Sequence, residues 1–211
     1  DVISDNYNKV TKALNEYFYE SESTSTHCRQ IGSYGRKTGI NGISDLDMAF
    51  ELPKETYDKF NAYSSGGQSA LLQDVKKAIQ NVYDYDQVKA DGQIVGIDLD
   101  GFRIEVLPTF YLETNEHGAL DYDIYTFPDT NDGGRWRRTK PKLEIEETRN
   151  LNNEYGNDTY RHLCRMVRAW KNHVGAKCSG LWIDTLSYNF LKQSEIYKDI
   201  SYKNYGELVK D

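Results

Sequence analysis

Residues 31–53 read IGSYGRKTGINGISDLDMAFELP, and the second half of that stretch decides the architecture. From Ser44 to Leu52 the side chains alternate with the period of two that marks a strand buried on one face. Leu46, Met48 and Phe50 fall on one side, and Asp45, Asp47 and Ala49 on the other. Two carboxylates this close repel and resist joint ionisation. A divalent cation between them removes the conflict. Magnesium takes hard oxygen ligands and leaves room for substrate phosphates, and two such ions about 3.5–4 Å apart can clamp an in-line phosphoryl displacement. The plainer alternative is a solvated strand face with Asp45 as a cap or turn residue. Gly32-Ser33 stands twelve residues before Asp45. Gly32 lets the backbone approach a ligand closely. Ser33 can cap a short helix through Tyr34, Gly35 and Arg36, with its amide and hydroxyl toward an anion. The same dipeptide is also an ordinary turn.

Working outward, residues 4–21 read as a helix with Tyr7, Val10, Leu14 and Tyr17 at three- and four-residue steps and Ser4 as N-cap. Residues 54–67 read as a polar connection with a Ser-Ser-Gly-Gly breaker, and 68–83 as a helix striped by Leu72, Val75, Ile79 and Val82. Strands over 93–99 and 102–110 flank Asp100-Gly101, a two-residue hairpin signal. In the second strand Arg103, Glu105 and Leu107 share one face, and Ile104 and Val106 the other. A charge inside an apolar strand needs a reason. Either Glu105 pairs with Arg103 or a cross-strand partner, or it is a third metal ligand beside Asp45 and Asp47. Asp98 is the other candidate for that place.

Residues 113–153 read as loop-rich, with a basic run, Arg135, Arg137, Arg138, Lys140 and Lys142, around Trp136. A helix over 157–174 carries an apolar stripe of Tyr160, Leu163, Val167, Trp170 and Val174. On another face run Arg161, Arg165, Arg168 and Asn172. Those guanidiniums can take a polyphosphate by bidentate contacts or pair with surface acids. The last helix, 180–193, turns Ile183, Leu186 and Phe190 inward.

The chain has 211 residues, 38% hydrophobic and 28% charged, which is the composition of a globular protein of one large or two small domains. No apolar run approaches the length of a membrane span. Cys28, Cys164 and Cys178 lack metal-ligand spacing and suit reduced thiols in a cytoplasmic protein. A formal net charge of −7 argues against a stable nucleic-acid partner.

Gly-Ser, a spacer and Asp-x-Asp entering a strand together resemble the signature of the polymerase-beta-like nucleotidyltransferases. The longer string GSYGRKTGINGISDLD is similar to the bacterial cyclic-oligonucleotide synthases, the CD-NTases. Residues 103–110, RIEVLPTF, resemble the strand with a Pro-aromatic corner that bears the family's third carboxylate, with Glu105 where Asp is usual. The Trp136…Pro141 segment resembles the one that follows that strand. Residues 164–171, CRMVRAWK, match a helix whose basic residue touches the triphosphate, here Arg168 in place of Lys, with Lys171 one turn on. SGLWIDTL resembles the family's Ser-containing helix start, with Ser179 the phosphate candidate; where some relatives have an aromatic residue that stacks the base, this sequence has Leu181, with Trp182 next.

The resemblance implies an α+β fold: a polymerase-beta-like core at 1–150, its mixed sheet carrying the carboxylates, and a helical C-terminal lobe at 151–211, with the nucleotide between them. Relatives carry more of that lobe. It implies Asp45, Asp47 and Glu105 as catalytic residues and as ligands of two Mg2+ or Mn2+ ions. Gly32, Ser33, Arg168, Lys171 and Ser179 would bind nucleotide. The implied substrates are NTPs, ATP with GTP or a pyrimidine NTP. They would be condensed, with loss of pyrophosphate, into a cyclic di- or trinucleotide that signals infection to a downstream effector protein. The alternatives are nucleotide transfer to a protein or RNA 3′ end, a non-catalytic nucleotide sensor, and carboxylates that are only surface features.

Overall fold

The computed structural model describes residues 2–40, 45–115 and 122–210. In order these form helix α1 (Val2–Tyr19), strand β1 (Cys28–Gln30), α2 (Gly32–Arg36), β2 (Asp45–Glu51), α3 (Lys54–Asn61) and α4 (Gly67–Ile79). Next come β3 (Val88–Asp91), β4 (Ile94–Leu99), β5 (Phe102–Asn115), β6 (Tyr122–Asp129) and β7 (Arg135–Thr139). The helices α5 (Pro141–Tyr155), α6 (Thr159–Val174), α7 (Gly180–Lys192) and α8 (Tyr205–Leu208) close the chain. Packing divides it into two compact units, Asp1–Gln30 with Ser44–Lys140, and Ile31–Ile43 with Pro141–Asp211.

The first unit is a mixed sheet in the order β1-β2-β5-β4-β3, extended by β6 on β5 and β7 on β6. β2 and β5 run parallel and the other pairs antiparallel. Alternation explains the burial. Leu46, Met48 and Phe50 of β2, Val95 and Ile97 of β4, and Ile104 and Val106 of β5 are all sealed from solvent. α4 packs on β3, β4 and β6 and carries α1 on it, burying Leu71, Leu72, Val75 and Ile79 together with Val10 and Leu14. Burial of this kind is worth ~1.5–3 kcal/mol for each large aliphatic side chain.

β4 and β5 meet across Asp100-Gly101, where Gly101 takes φ +83° and Leu99 pairs Phe102. β5 does not stop at the Pro-aromatic corner. Pro108 stands two residues past Val106, the last residue paired to β4, and from Phe110 the same strand pairs β6, with a register shift between Tyr111 and Glu113. Proline cannot donate a ladder hydrogen bond, so the change of neighbours falls where its missing N–H costs least.

The second unit is helical, built on Leu151, Tyr155, Tyr160, Leu163, Cys164, Leu191, Tyr197, Ile200, Tyr205 and Leu208. The Tyr155 hydroxyl donates to the Leu191 carbonyl inside it. α5 packs on α2, α6 and α7.

Several expectations need correction. The region 113–153 is not loop-rich; it holds the end of β5, β6, β7 and α5. The polar connection at 54–67 contains α3, and β3 precedes the expected hairpin. The division expected at 150/151 falls at Lys140/Pro141, because α5 packs with the helices, and residues 31–43 belong with them too. Trp170, Val174 and Leu186, expected inward, are 57%, 51% and 60% exposed. Ser44, expected to open β2, lies outside the described residues. Among the described residues no helix is long and apolar enough to cross a membrane.

Candidate active site

The polar face of β2 is continued by its neighbours. In the parallel β2–β5 ladder Asp45 pairs Arg103 and Asp47 pairs Glu105. Paired residues share a face, so Glu105 stands beside Asp47. In the antiparallel β4–β5 ladder Gly96 pairs Glu105 and Asp98 pairs Arg103. One face of three strands therefore presents Asp45, Asp47, Arg103, Glu105 and Asp98. Glu105 adjoins Asp47 directly, whereas Asp98 stands one strand further out.

Arg103 organises this face. Its Nη1 lies 3.3 Å from Asp98 Oδ1 and its Nε 3.3 Å from Glu105 Oε1. The guanidinium lies over Gly96, where a Cβ would come within 2.1 Å of Nη2. Glycine in the middle of a strand weakens it; here its missing side chain is the room that Arg103 occupies. Asp98 has a second cation, Lys89 Nζ at 3.0 Å, which with Arg103 holds its carboxyl below the usual value. Glu105 moves the other way. Burial pushes its carboxyl up, the Asp47 charge adds to this, and Arg103 opposes both.

Among the described residues, no three His, Cys, Asp or Glu side chains are drawn together tightly enough to enclose a metal ion. Glu105 is turned to Arg103. Donor type and register still fit a hard cation, with carboxylate oxygens alone, two of them on adjacent strands in register.

The predicted phosphate residues lie in the helical unit. Gly32 takes φ +60° as α2 begins. Ser33 is not the N-cap; the helix starts at Gly32, two residues earlier than that cap implies, on an extended Ile31 with no side-chain cap. The turn closes on itself, with Gly35 N donating to Ile31 O at 2.9 Å and Thr38 N to Ser33 O at 2.9 Å.

The three guanidiniums of α6 all have protein partners. Arg161 pairs Asp158 at 2.8 Å, Arg165 donates to Lys37 O at 2.9 Å, and Arg168 Nη2 meets Asp184 Oδ1 at 2.6 Å. The Nε of Arg168 is buried without a hydrogen-bond partner among the described residues. Lys171 lies in the last turn of α6. Ser179 caps α7, its hydroxyl accepting from Trp182 N at 3.2 Å, and Leu181 and Trp182 are exposed.

In the basic run, Arg135 and Arg137 reach the buried Asp129 at 3.3 and 3.4 Å. Trp136 packs against Tyr57 and Phe110. Sequence reasoning missed Arg36 and Asp184, which are buried and joined at 2.8 Å. Arg36 was visible as a charge inside a short helix; its partner 148 residues away was not.

The chain resembles several solved structures. Rhodothermus marinus CdnE c-UMP-AMP synthase shares 20% identity, with a TM-score of 0.63 over 88% of this chain and 68% of that one. Elizabethkingia meningoseptica CdnE cyclic dinucleotide synthase shares 18%, with a TM-score of 0.65 over 88% and 67%. Escherichia coli MS115-1 CdnC shares 15%, with a TM-score of 0.61 over 92% and 61%. The chain thus spans 61–68% of the length of these proteins, and at such identities the likeness is one of fold. No curated protein matches it in sequence. The family described as the Second Messenger Oligonucleotide or Dinucleotide Synthetase domain matches residues 1–152. With that match and a sheet that sets Asp47 beside Glu105, the chain belongs to this family of bacterial CD-NTases and is a nucleotidyltransferase of the cyclic-oligonucleotide-synthase class.

Proposed function

We propose that this protein joins NTPs into a cyclic di- or trinucleotide in a metal-dependent reaction that releases pyrophosphate. The register of Asp47 against Glu105, with Asp45 on the same face, carries the reading. Mg2+ or Mn2+ bound by Asp45, Asp47 and Glu105 would supply positive charge to the triphosphate and lower the pKa of the acceptor hydroxyl. The carboxylates orient that charge. Glu105, its carboxyl raised by burial and by Asp47, is suited to accept the proton of the ribose hydroxyl as it attacks the α-phosphorus. Gly32 and Ser33 hold the β- and γ-phosphates, and Lys171 adds charge near them. Arg168 Nη2 is taken by Asp184 and the Gly180 carbonyl, and the Ser179 oxygen caps α7, so Arg168 would contribute only through Nε and Nη1 and Ser179 only through its hydroxyl proton.

Among the relatives of like fold are a c-UMP-AMP synthase and a cyclic AMP-GMP synthase, which supports ATP as one substrate and GTP or a pyrimidine NTP as the other. The product would act as an anti-phage signal read by an effector protein in the cytoplasm. The test is to incubate the purified protein with labelled NTPs, singly and in pairs, with Mg2+ or Mn2+, and then with phosphatase. A phosphatase-resistant product that Asp45→Asn and chelation both abolish is expected. Product formation that survives either treatment would sink the metal reading, and label appearing on protein or RNA would replace ring synthesis by transfer to a macromolecule.

A further inference from the structure

The segment that follows the Gly32-Ser33 turn is anchored at three consecutive residues, each to α6 or α7. Arg36 Nε donates to Asp184 Oδ2 at 2.8 Å. Lys37 O accepts from Arg165 at 2.9 Å. Thr38 Oγ1 donates to Asp184 Oδ2 at 2.9 Å. The other oxygen of Asp184 takes Arg168 Nη2 at 2.6 Å. The Asp184 side chain is 2% exposed, and those of Arg36 and Arg168 are 7% and 13%. The approach of Arg168 is made possible by Gly180, where a Cβ would fall 2.3 Å from Nη1. Arg168 also donates to the Gly180 carbonyl at 3.0 Å and lies 3.3 Å from Thr38 Oγ1. The anchor reaches the turn itself, because Thr38 N donates to Ser33 O at 2.9 Å.

A buried carboxylate between two guanidiniums is weak evidence for stability, because desolvating three charges offsets most of their attraction. What it supplies is geometry. Removing one partner strands the others, so the arrangement tolerates little displacement.

We propose that Asp184 is a positioning residue for triphosphate binding: through Thr38 and Arg36 it fixes the Ser33 turn, and Arg168 acts by holding Asp184. This rests on the reading of Gly32-Ser33 as the holder of the β- and γ-phosphates. A group that only aims the phosphate turn affects ligands that have those phosphates and spares those that lack them.

The test is equilibrium binding, by calorimetry with Mg2+, of the α,β-methylene analogue of ATP and of AMP, to wild type, Ser33→Ala, Thr38→Val, Thr38→Ser and Asp184→Asn. Asp184→Asn is expected to weaken the triphosphate analogue at least tenfold, and Thr38→Val about fivefold, with AMP changed less than twofold in both. Thr38→Ser, which keeps the hydroxyl, restores the wild-type value. Thr38→Val carries the test if Asp184→Asn does not fold. Equal losses for both ligands would make the network merely structural and overturn the proposal. So would wild-type affinity in Thr38→Val while Ser33→Ala is impaired. If Ser33→Ala also binds normally, the phosphate reading itself fails, and the proposal with it.

Discussion

Gly96→Ala tests how the carboxylate face is held. The added methyl would stand 2.1 Å from Arg103 Nη2 and 2.6 Å from its Cζ and Nε. These atoms end a flexible side chain, so the guanidinium moves and the backbone stays. Arg103 then leaves Asp98 and Glu105, each 3.3 Å away. Both pairs are part-exposed and screened, and are worth ~0.2–1 kcal/mol apiece. Alanine returns ~0.4–1 kcal/mol by restricting the unfolded chain. The net change lies between a gain of ~0.6 and a loss of ~1.6 kcal/mol, or at most about 6 °C in Tm for a chain of this size.

Turnover is a different matter. Glu105 loses the cation that orients it, and a displacement of about 1 Å in a reacting group can cost ~100-fold, so kcat should fall between ~10- and ~100-fold. Burial and Asp47 already hold the Glu105 carboxyl above its ordinary value, with Arg103 opposing. Without Arg103 to oppose them, burial and Asp47 raise it further in the metal-free protein, so its carboxyl titration moves to higher pH. Thermal melts, pyrophosphate release and an NMR titration of the Glu105 carboxyl in the metal-free protein measure these effects, and Arg103→Gln should reproduce the last two. Wild-type rates with an unmoved carboxyl titration would refute the role given to Arg103. A Tm loss beyond ~10 °C would show that the methyl strikes something that cannot move.

Glu105→Gln should cut turnover by ~100-fold or more while leaving affinity for the ATP analogue nearly intact, as loss of a proton acceptor does. Asp98→Asn should cost only a few-fold, since Asp98 stands a strand further from Asp47; the reverse order would exchange their roles. In the helical unit, Asp158 is held below its ordinary 3.8, first by the Asn152 amide at 2.8 Å and then by Arg161. A depressed carboxyl contributes stability that is present above the unfolded value and lost as pH falls through the folded one. The Tm gap between wild type and Asp158→Asn should therefore shrink from pH 7 to pH 3, and a gap independent of pH would count against it.

What the sequence made legible was local. Period-two alternation placed Asp45 and Asp47 on one face of β2 and Leu46, Met48 and Phe50 on the other, and Asp100-Gly101 marked its turn. The same alternation put Arg103 and Glu105 together. It could not say which strand lay alongside, and only the parallel register sets Glu105 against Asp47. The run 113–153 was misread for a different reason. β7 offers one apolar residue, Trp136, among three arginines, so its period is invisible, although YDIYTFPD of β6 carried β-branched and aromatic signal. Pro141 was taken with the loop before it, whereas proline at a first helical position begins a helix. Arg168 was legible as a cation on a helix face. That its charge meets Asp184 depends on how α6 and α7 pack, which no spacing within either helix reveals.

The path of the chain has a consequence for heredity. It leaves the sheet unit after Gln30, lays thirteen residues into the helical unit, returns at Ser44, and crosses for good after Lys140. Neither unit is a continuous stretch of gene. A recombination event that exchanged everything before residue 141 would carry Arg36 and Thr38 into a new protein and leave Asp184 behind. Two buried donors would arrive without their acceptor. Shuffling can succeed here only when both segments travel together, so the two units must be inherited as one.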